Sequence, residues 1–335
     1  MSSAPSPEEI ARDATWLAQA LDPTQGVVRL IAMDRESYRL AGFLDDRMLQ
    51  APLDAQVVPW PDVENAMSGE RRSEARWIFH IGHAGSTLVS RLLGEVPGVL
   101  AIREPRLLRD LAMIPPAMRA RYISSVAKLM SRTFADEEIA CVKATSFASE
   151  IAPELVPPGE RALLMYVTPR NYVASILAGE NSVKEMHALA EYRSQRLARR
   201  GIGLSSPRND AELAAAAWAC EMTTLESAAH AMADRHIAWA DFDAMLANMP
   251  GELARTATFF GFDAEDEQLA AIARGPLIQR YSKALEYEYS PNLRAELIAG
   301  SLHLHNREID PALAMLRAAA EKSPLLAQAL TRAGD

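Results

Sequence analysis

The sequence predicts an α/β fold, a parallel sheet flanked by helices, with an N-terminal extension and a helical C-terminal part. Three observations lead there. From Arg76 onward short apolar runs alternate with helical patterns, the signature of strands joined by crossover helices. The first of these runs, Trp77-Ile-Phe-His-Ile81, breaks at Gly82-His-Ala-Gly85 and continues as a helical pattern through Leu93. Finally, Glu104, Lys143 and Arg170 each fall at or just beyond the end of an apolar run, so they gather with the glycine turn at the carboxyl ends of the strands, where open α/β sheets bind ligands.

The elements follow in order. In the extension, residues 1–70, Ser6-Pro-Glu-Glu9 has the spacing of a capping box that starts a helix, and Gly26 to Met33 reads as a strand with no evident partner. The main domain, residues 71–290, opens with the strand and glycine turn. A second strand, Val99 to Arg103, ends in Glu104-Pro105, where proline discourages helix in the residue before it. A helix is predicted from Pro115 to Phe134, a third strand over Ile139–Ala144, and a fourth over Ala162–Val167. One long helical region is then expected from Arg170 to Arg200, and another from Ala211 to Ala233, with Trp218, Met222, Leu225, Ala229 and Met232 on a core-facing stripe. Arg193, Arg196, Arg199 and Arg200 are read as a solvated helix face in preference to an anion site. A fifth strand at His236–Ala240 leads into helices containing Phe259-Phe-Gly261, and residues 291–335 form a helical C-terminal segment.

The turn has the character of a phosphate loop. Gly82 and Gly85 permit backbone angles that point successive amides inward, and the helix from Ser86 adds the positive end of its dipole. It is not a Walker A loop, because Ser86 stands where G-x-x-x-x-G-K-[ST] requires lysine. Magnesium-dependent ATP chemistry is therefore a secondary reading.

Composition narrows the partners. Of 335 residues 49% are apolar and 24% charged, an ordinary globular balance, and the net charge of −9 argues against a broad nucleic-acid surface. Cys141 and Cys220 sit in apolar runs and are expected as buried thiols. No histidine or cysteine pair has metal-ligand spacing, so no metal is expected. With no secretory h-region and no apolar run long enough to span a bilayer, a cytoplasmic location without a membrane span is the expectation.

Four separated segments resemble the sulfotransferase family, over roughly residues 77–290. Gly82-His-Ala-Gly-Ser-Thr87 stands in place of its P-[KR]-S-G-T-T loop, with His83 at the basic position. Arg103-Glu-Pro105 is similar to the E-P ending of the next strand, Lys143 in Val-Lys-Ala-Thr resembles the K-T strand end, and Val167-Thr-Pro-Arg-Asn-Tyr-Val-Ala-Ser175 resembles V-R-[DN]-P-[RK]-D-V-x-x-S. That last segment is one residue short, and Thr168 replaces an arginine. Trp239 to Asp243 and Phe259 to Phe262 are similar to later family segments, and Arg280-Tyr-Ser-Lys283 is similar to a segment of uncharacterised bacterial members.

The resemblance implies transfer of a sulfuryl group from 3′-phosphoadenosine 5′-phosphosulfate to an acceptor, a small molecule, sugar or lipid bearing a hydroxyl. It implies that Gly82, His83, Ala84, Gly85, Ser86 and Thr87 hold the 5′-phosphosulfate, that Arg170 and Ser175 hold the 3′-phosphate, and that Arg280 and Lys283 close over it. Glu104 is the candidate general base, Lys143 the cation at the sulfuryl or leaving oxygens, and His83 an added positive charge. His80, on the strand, reads as a satisfied core residue. Two other readings stand beside this one: a nucleotide-dependent phosphotransferase on the same scaffold, and a nucleotide-binding protein without catalysis.

Overall fold

The computed structural model describes residues 4–50, 52–279 and 291–334. The chain begins with α1 (Pro7–Arg12), whose start is the expected capping box: the Ser6 hydroxyl accepts from the Glu9 amide at 3.3 Å, and the Glu9 carboxylate accepts from the Ser6 amide at 2.7 Å. Next come β1 (Trp16–Asp22), β2 (Val27–Ala32), α2 (Arg35–Leu40), β3 (Ala55–Pro59) and α3 (Trp60–Ala66). The partners that the sequence left open for the 26–33 strand are β1 and β3, which flank β2 in an antiparallel sheet. Asp22 starts the β1–β2 turn by accepting from the amides of Thr24 and Gln25, at 2.9 and 3.0 Å, and Gly26 (φ +67°) completes it.

The main sheet carries the site. Its elements run β4 (Arg76–His80), α4 (Ser86–Leu93), β5 (Val99–Arg103), α5 (Arg106–Met113), α6 (Pro116–Met130), β6 (Ile139–Lys143), α7 (Ala152–Leu155), β7 (Arg161–Tyr166) and α8 (Pro169–Leu177). After them come α9 (Glu180–Ala188), α10 (Ala190–Arg199), α11 (Asp210–Ala231) and β8 (His236–Asp241). The five strands are parallel in the order β5-β6-β4-β7-β8. Trp77, Ile78, Phe79, Val142 and Leu164 are fully buried, as a sheet covered on both faces requires. The chain leaves β4 for the far edge, returns beside β4 at β6, and crosses to the other side at β7. That reversal opens a crevice at the carboxyl end of β4, beside the glycine turn.

Two expectations about helices need correction. The first helix after β5 is α5, which starts immediately after Pro105; proline restrains the residue before it but fits a helix start. The long helix expected from Arg170 to Arg200 is three helices, broken where Gly179 is extended (φ −131°, ψ 118°) and where Leu189 leaves helical angles (φ −101°, ψ 0°). α11 buries Trp218, Met222 and Leu225 as expected, with Met232 buried just past its end and Ala229 partly covered.

The remaining helices are α12 (Phe242–Ala247), α13 (Met249–Phe260), α14 (Asp266–Arg274), α15 (Pro291–Ala320) and α16 (Pro324–Arg332). Gly261, at φ +73°, ends α13 in a left-handed cap. α15 packs on α8 and α11, and α16 on α11 and α15. No helix among the described residues is long and apolar enough to cross a membrane.

Candidate functional site

The turn between β4 and α4 is left-handed at Gly82 (φ +78°), His83 (φ +51°) and Gly85 (φ +62°). The two glycines serve different ends. A Cβ at Gly82 would meet nothing within 4 Å, so glycine is needed there for its backbone angle alone; a Cβ at Gly85 would lie 2.0 Å from the Phe242 ring on α12. The first intrahelical bond of α4 runs from the Val89 amide to the Gly85 carbonyl at 3.2 Å, so the amides of Ser86, Thr87 and Leu88 have no partner within the helix. No acidic residue occupies the first turn and no side chain caps it, which preserves the positive end of the dipole. The His83 ring stands edge-on to Tyr172, with centroids 6.0 Å apart.

Beside the turn, the β5–β6 register pairs Arg103 with Lys143, and the Glu104 amide donates to the Lys143 carbonyl at 2.8 Å. Glu104 is itself left-handed (φ +51°), an angle that a non-glycine residue adopts at a cost of about 1–3 kcal/mol. The Lys143 ammonium forms an ion pair with the Glu104 carboxylate. Only 1% of the Lys143 side chain is exposed, so its ammonium is withdrawn from solvent. Burial pushes the Glu104 carboxyl up, but the Lys143 charge and the nearby His80 outweigh it and hold the group well below the usual carboxylate range.

His80 joins the two features. Its Nδ1 accepts from the Gly82 amide at 2.9 Å, while Nε2 lies 3.0 Å from the Ala144 carbonyl and 3.6 Å from Glu104 Oε1. These partners assign the proton to Nε2, because Nδ1 is already an acceptor. His80 is buried and hydrogen-bonded as expected for a core histidine, and it also orients the turn and the carboxylate.

A cavity of about 330 Å³ is lined by the turn, Glu104 and Lys143, together with residues that the sequence did not single out, among them Phe43, Arg47 and Arg109. Phe43 and Arg47 come from the segment between α2 and β3. The Leu44 amide donates to the Arg103 carbonyl at 2.8 Å, and the buried Arg103 guanidinium donates to the carbonyls of Tyr38, Arg39 and Ala41. These bonds hold the segment across the end of β5. The Arg47 guanidinium lies 3.3 Å from the Phe43 ring centroid, pairs with Asp45 at 2.6 Å, and approaches Glu104 Oε2 to 3.7 Å. No motif spacing links residues 43–47 to 82–87, so nothing in the sequence marks this contribution.

Other sequence-predicted residues lie elsewhere. Arg170 is half-exposed at the start of α8 and pairs with Asp310 on α15 at 2.7 Å; neither it nor Ser175 lines the cavity. Arg280 and Lys283 lie outside the described residues. The arginine cluster is not a solvated face. Arg193 and Arg196 donate to Glu221 at 2.9 and 3.1 Å, Arg196 also donates to Thr224 at 2.8 Å, Arg200 pairs with Glu150, and only Arg199, 59% exposed, faces solvent. The expectation failed because the countercharges come from other elements. Burial raises the Glu221 carboxyl, but the two arginines override it and keep it ionised.

No protein-family model matches the chain, and no curated protein matches it. Solved structures similar to it include the sulfotransferase domain from the curacin biosynthetic pathway, at 12% identity over 67% of this chain and 86% of that one, with a TM-score of 0.40. The sulfotransferase domain of the Synechococcus PCC 7002 olefin synthase is similar at 13% identity over 70% and 96%, TM-score 0.40. Sulfotransferase STF1 from Mycobacterium tuberculosis H37Rv is similar at 15% identity over 71% and 78%, TM-score 0.37. The fold described above stands on its own strand order and register.

Proposed function

We propose that this chain is a sulfotransferase that moves a sulfuryl group from 3′-phosphoadenosine 5′-phosphosulfate to an acceptor hydroxyl. The observation that carries the reading is a lysine-free, left-handed glycine turn sharing one cavity with a buried Lys143–Glu104 pair. The amides from His83 to Leu88 and the hydroxyls of Ser86 and Thr87 hold the 5′-phosphosulfate, and a protonated His83 adds charge. The acceptor oxygen forms a bond to sulfur as the bond from sulfur to the bridging oxygen breaks; that oxygen keeps the electron pair and leaves on adenosine 3′,5′-bisphosphate. Glu104 takes the acceptor proton.

The pairing of Glu104 gives this step an order. At rest the carboxylate is a weak base, because Lys143 stabilises its charge. A phosphosulfate beside the turn competes for the Lys143 ammonium. As Lys143 turns to the leaving oxygen, Glu104 loses its counter-ion in a buried setting, and its proton affinity rises. Arg170 and Ser175 bind the 3′-phosphate in this reading: the half-exposed Arg170–Asp310 pair is worth about 0–1 kcal/mol, which a phosphate can displace.

Titration calorimetry of the full chain tests the proposal. Adenosine 3′,5′-bisphosphate is expected to bind without added metal and more tightly than ADP. Equal affinities would remove the 3′-phosphate assignment, and a strict magnesium requirement would favour phosphoryl transfer. Tight binding with no transfer to a broad panel of alcohols, phenols and sugars would leave a nucleotide-binding protein.

A further inference from the structure

The cations around the cavity are unequally committed. Lys143 is held by Glu104, Arg193 by Glu221, and Arg47 by Asp45. Arg109 lines the same cavity on the exposed face of α5, and among the described residues it makes no hydrogen bond or ion pair. Its neighbour Arg106 is fully engaged, with Asp46 at 2.6 Å and Asp110 at 3.2 Å, and Asp110 also accepts from the Leu21 amide at 3.0 Å. The carboxylates near this turn of α5 are therefore spent on Arg106.

The local field adds to this. α5 begins with two arginines in its first turn, Arg106 and Arg109, has no acidic residue there, and has no side-chain cap. Cations at the positive end of a helix dipole are unfavourable, so an anion there gains from both the dipole and the guanidinium. Arg47 stands on the same cavity. Its pair with Asp45 is half-exposed and therefore weak, so an incoming anion can replace it.

We propose that the cavity contains a second anion subsite, formed by Arg109 with Arg47 and separate from the glycine turn, that binds an acidic group of the acceptor. The acceptor is then a hydroxyl compound carrying a carboxylate or a phosphate. Its role as an acceptor site rests on the sulfuryl-transfer reading; the anion site itself does not. Guanidinium forks suit either group through paired N–H donors.

The test is calorimetry on the full chain saturated with adenosine 3′,5′-bisphosphate, with inorganic phosphate in one arm and acetate in the other. At least one anion is expected to bind, and Arg109→Gln should weaken that binding tenfold or more while changing bisphosphate affinity less than twofold. Arg109→Lys should recover part of the loss. Arg109 is exposed and has no partner among the described residues, so the variants should melt with the wild type. Absence of binding in both arms overturns the proposal, as does anion binding indifferent to Arg109. A tenfold loss of bisphosphate affinity in Arg109→Gln also overturns it, by giving the arginine to the donor. If the bisphosphate fails to bind the wild type while phosphate binding still depends on Arg109, the sulfuryl-transfer reading falls and the subsite stands.

Discussion

The two walls of the cavity are built by different rules. One consists of the glycine turn, Glu104 and Lys143, each at the carboxyl end of a strand and each placed by sheet register. The other consists of Phe43 and Arg47, brought in by backbone bonds from Leu44 to Arg103 and by the Arg103 guanidinium reaching back to the 38–41 carbonyls. The first wall is local chemistry repeated along a sheet. The second depends on one buried arginine on the strand that presents Glu104, so the 38–47 segment and the Glu104 carboxylate are fixed by the same residue pair, 103 and 104.

The largest effect expected separates the two glycines of the first wall. Gly85→Val puts a branched side chain at φ +62° and into the Phe242 ring, combining backbone strain with overpacking, for a loss of about 3–5 kcal/mol. Gly82→Ala meets no atom and should cost only the left-handed angle, about 1–2 kcal/mol. Chemical denaturation measures both. Equal losses would mean that the Phe242 contact does not constrain the turn, and a Gly85→Ala, Phe242→Ala double variant should lose clearly less than the sum of its singles.

Next in size is the Lys143–Glu104 pair. Lys143→Met leaves a buried carboxylate without its cation, a change of about 3–5 kcal/mol near neutral pH. The sign with pH follows from the shift. In the wild type Glu104 lies below its ordinary 4.5, so its contribution is present above about pH 4.5 and is lost as pH falls through the lower folded value. In Lys143→Met the largest opposing charge is gone while burial and His80 remain, the carboxyl moves upward from its wild-type position, and the variant should regain relative stability on acidification as the group protonates. Stability curves from pH 3 to 8 check this; parallel curves would show that the pair is not electrostatically coupled. For catalysis, Glu104→Gln should cost about 100-fold in turnover, the scale of general-base removal.

What the sequence made legible follows the same division. Strands β4 to β7 are readable because buried strands are continuous apolar runs between turn residues, β8 is readable from the short run Ile237-Ala-Trp-Ala240 although it is only partly buried, and the turn is readable because glycine spacing is local. Arg193, Arg196 and Arg200 share one helical face, yet their countercharges Glu221 and Glu150 lie on α11 and before α7, which no periodicity on α10 reveals. Helix α5 is hidden in the sequence because Glu104-Pro105 reads as a break. The burial of Lys143 and the arrival of Phe43 and Arg47 depend on long-range packing, which leaves no spacing in the chain.

A smaller effect probes the second wall. Arg47→Ala removes an exposed pair worth about 0–1 kcal/mol, so stability should barely change, while turnover should fall about tenfold through the lost cation beside Glu104. Arg103→Met should move both readouts together, because it releases the whole 38–41 segment. If Arg47→Ala keeps full turnover, the second wall encloses the cavity without taking part in its chemistry.

The smallest expected change in stability belongs to Arg170, and it sharpens the contrast by testing a residue outside both walls. Its pair with Asp310 is half-exposed and joins α8 to α15 at the surface, so Arg170→Gln should alter stability by no more than about 1 kcal/mol. Its effect on ligand choice should be larger. If Arg170 leaves Asp310 for the 3′-phosphate, the variant loses most of its preference for adenosine 3′,5′-bisphosphate over ADP while ADP affinity stays the same. Asp310→Asn should act in the opposite direction, because the guanidinium no longer has a resident carboxylate to leave. Calorimetry on the two variants distinguishes the cases: opposite shifts in the bisphosphate-to-ADP ratio place Arg170 on the donor, whereas an unchanged ratio in both leaves it as a surface tie between two helices.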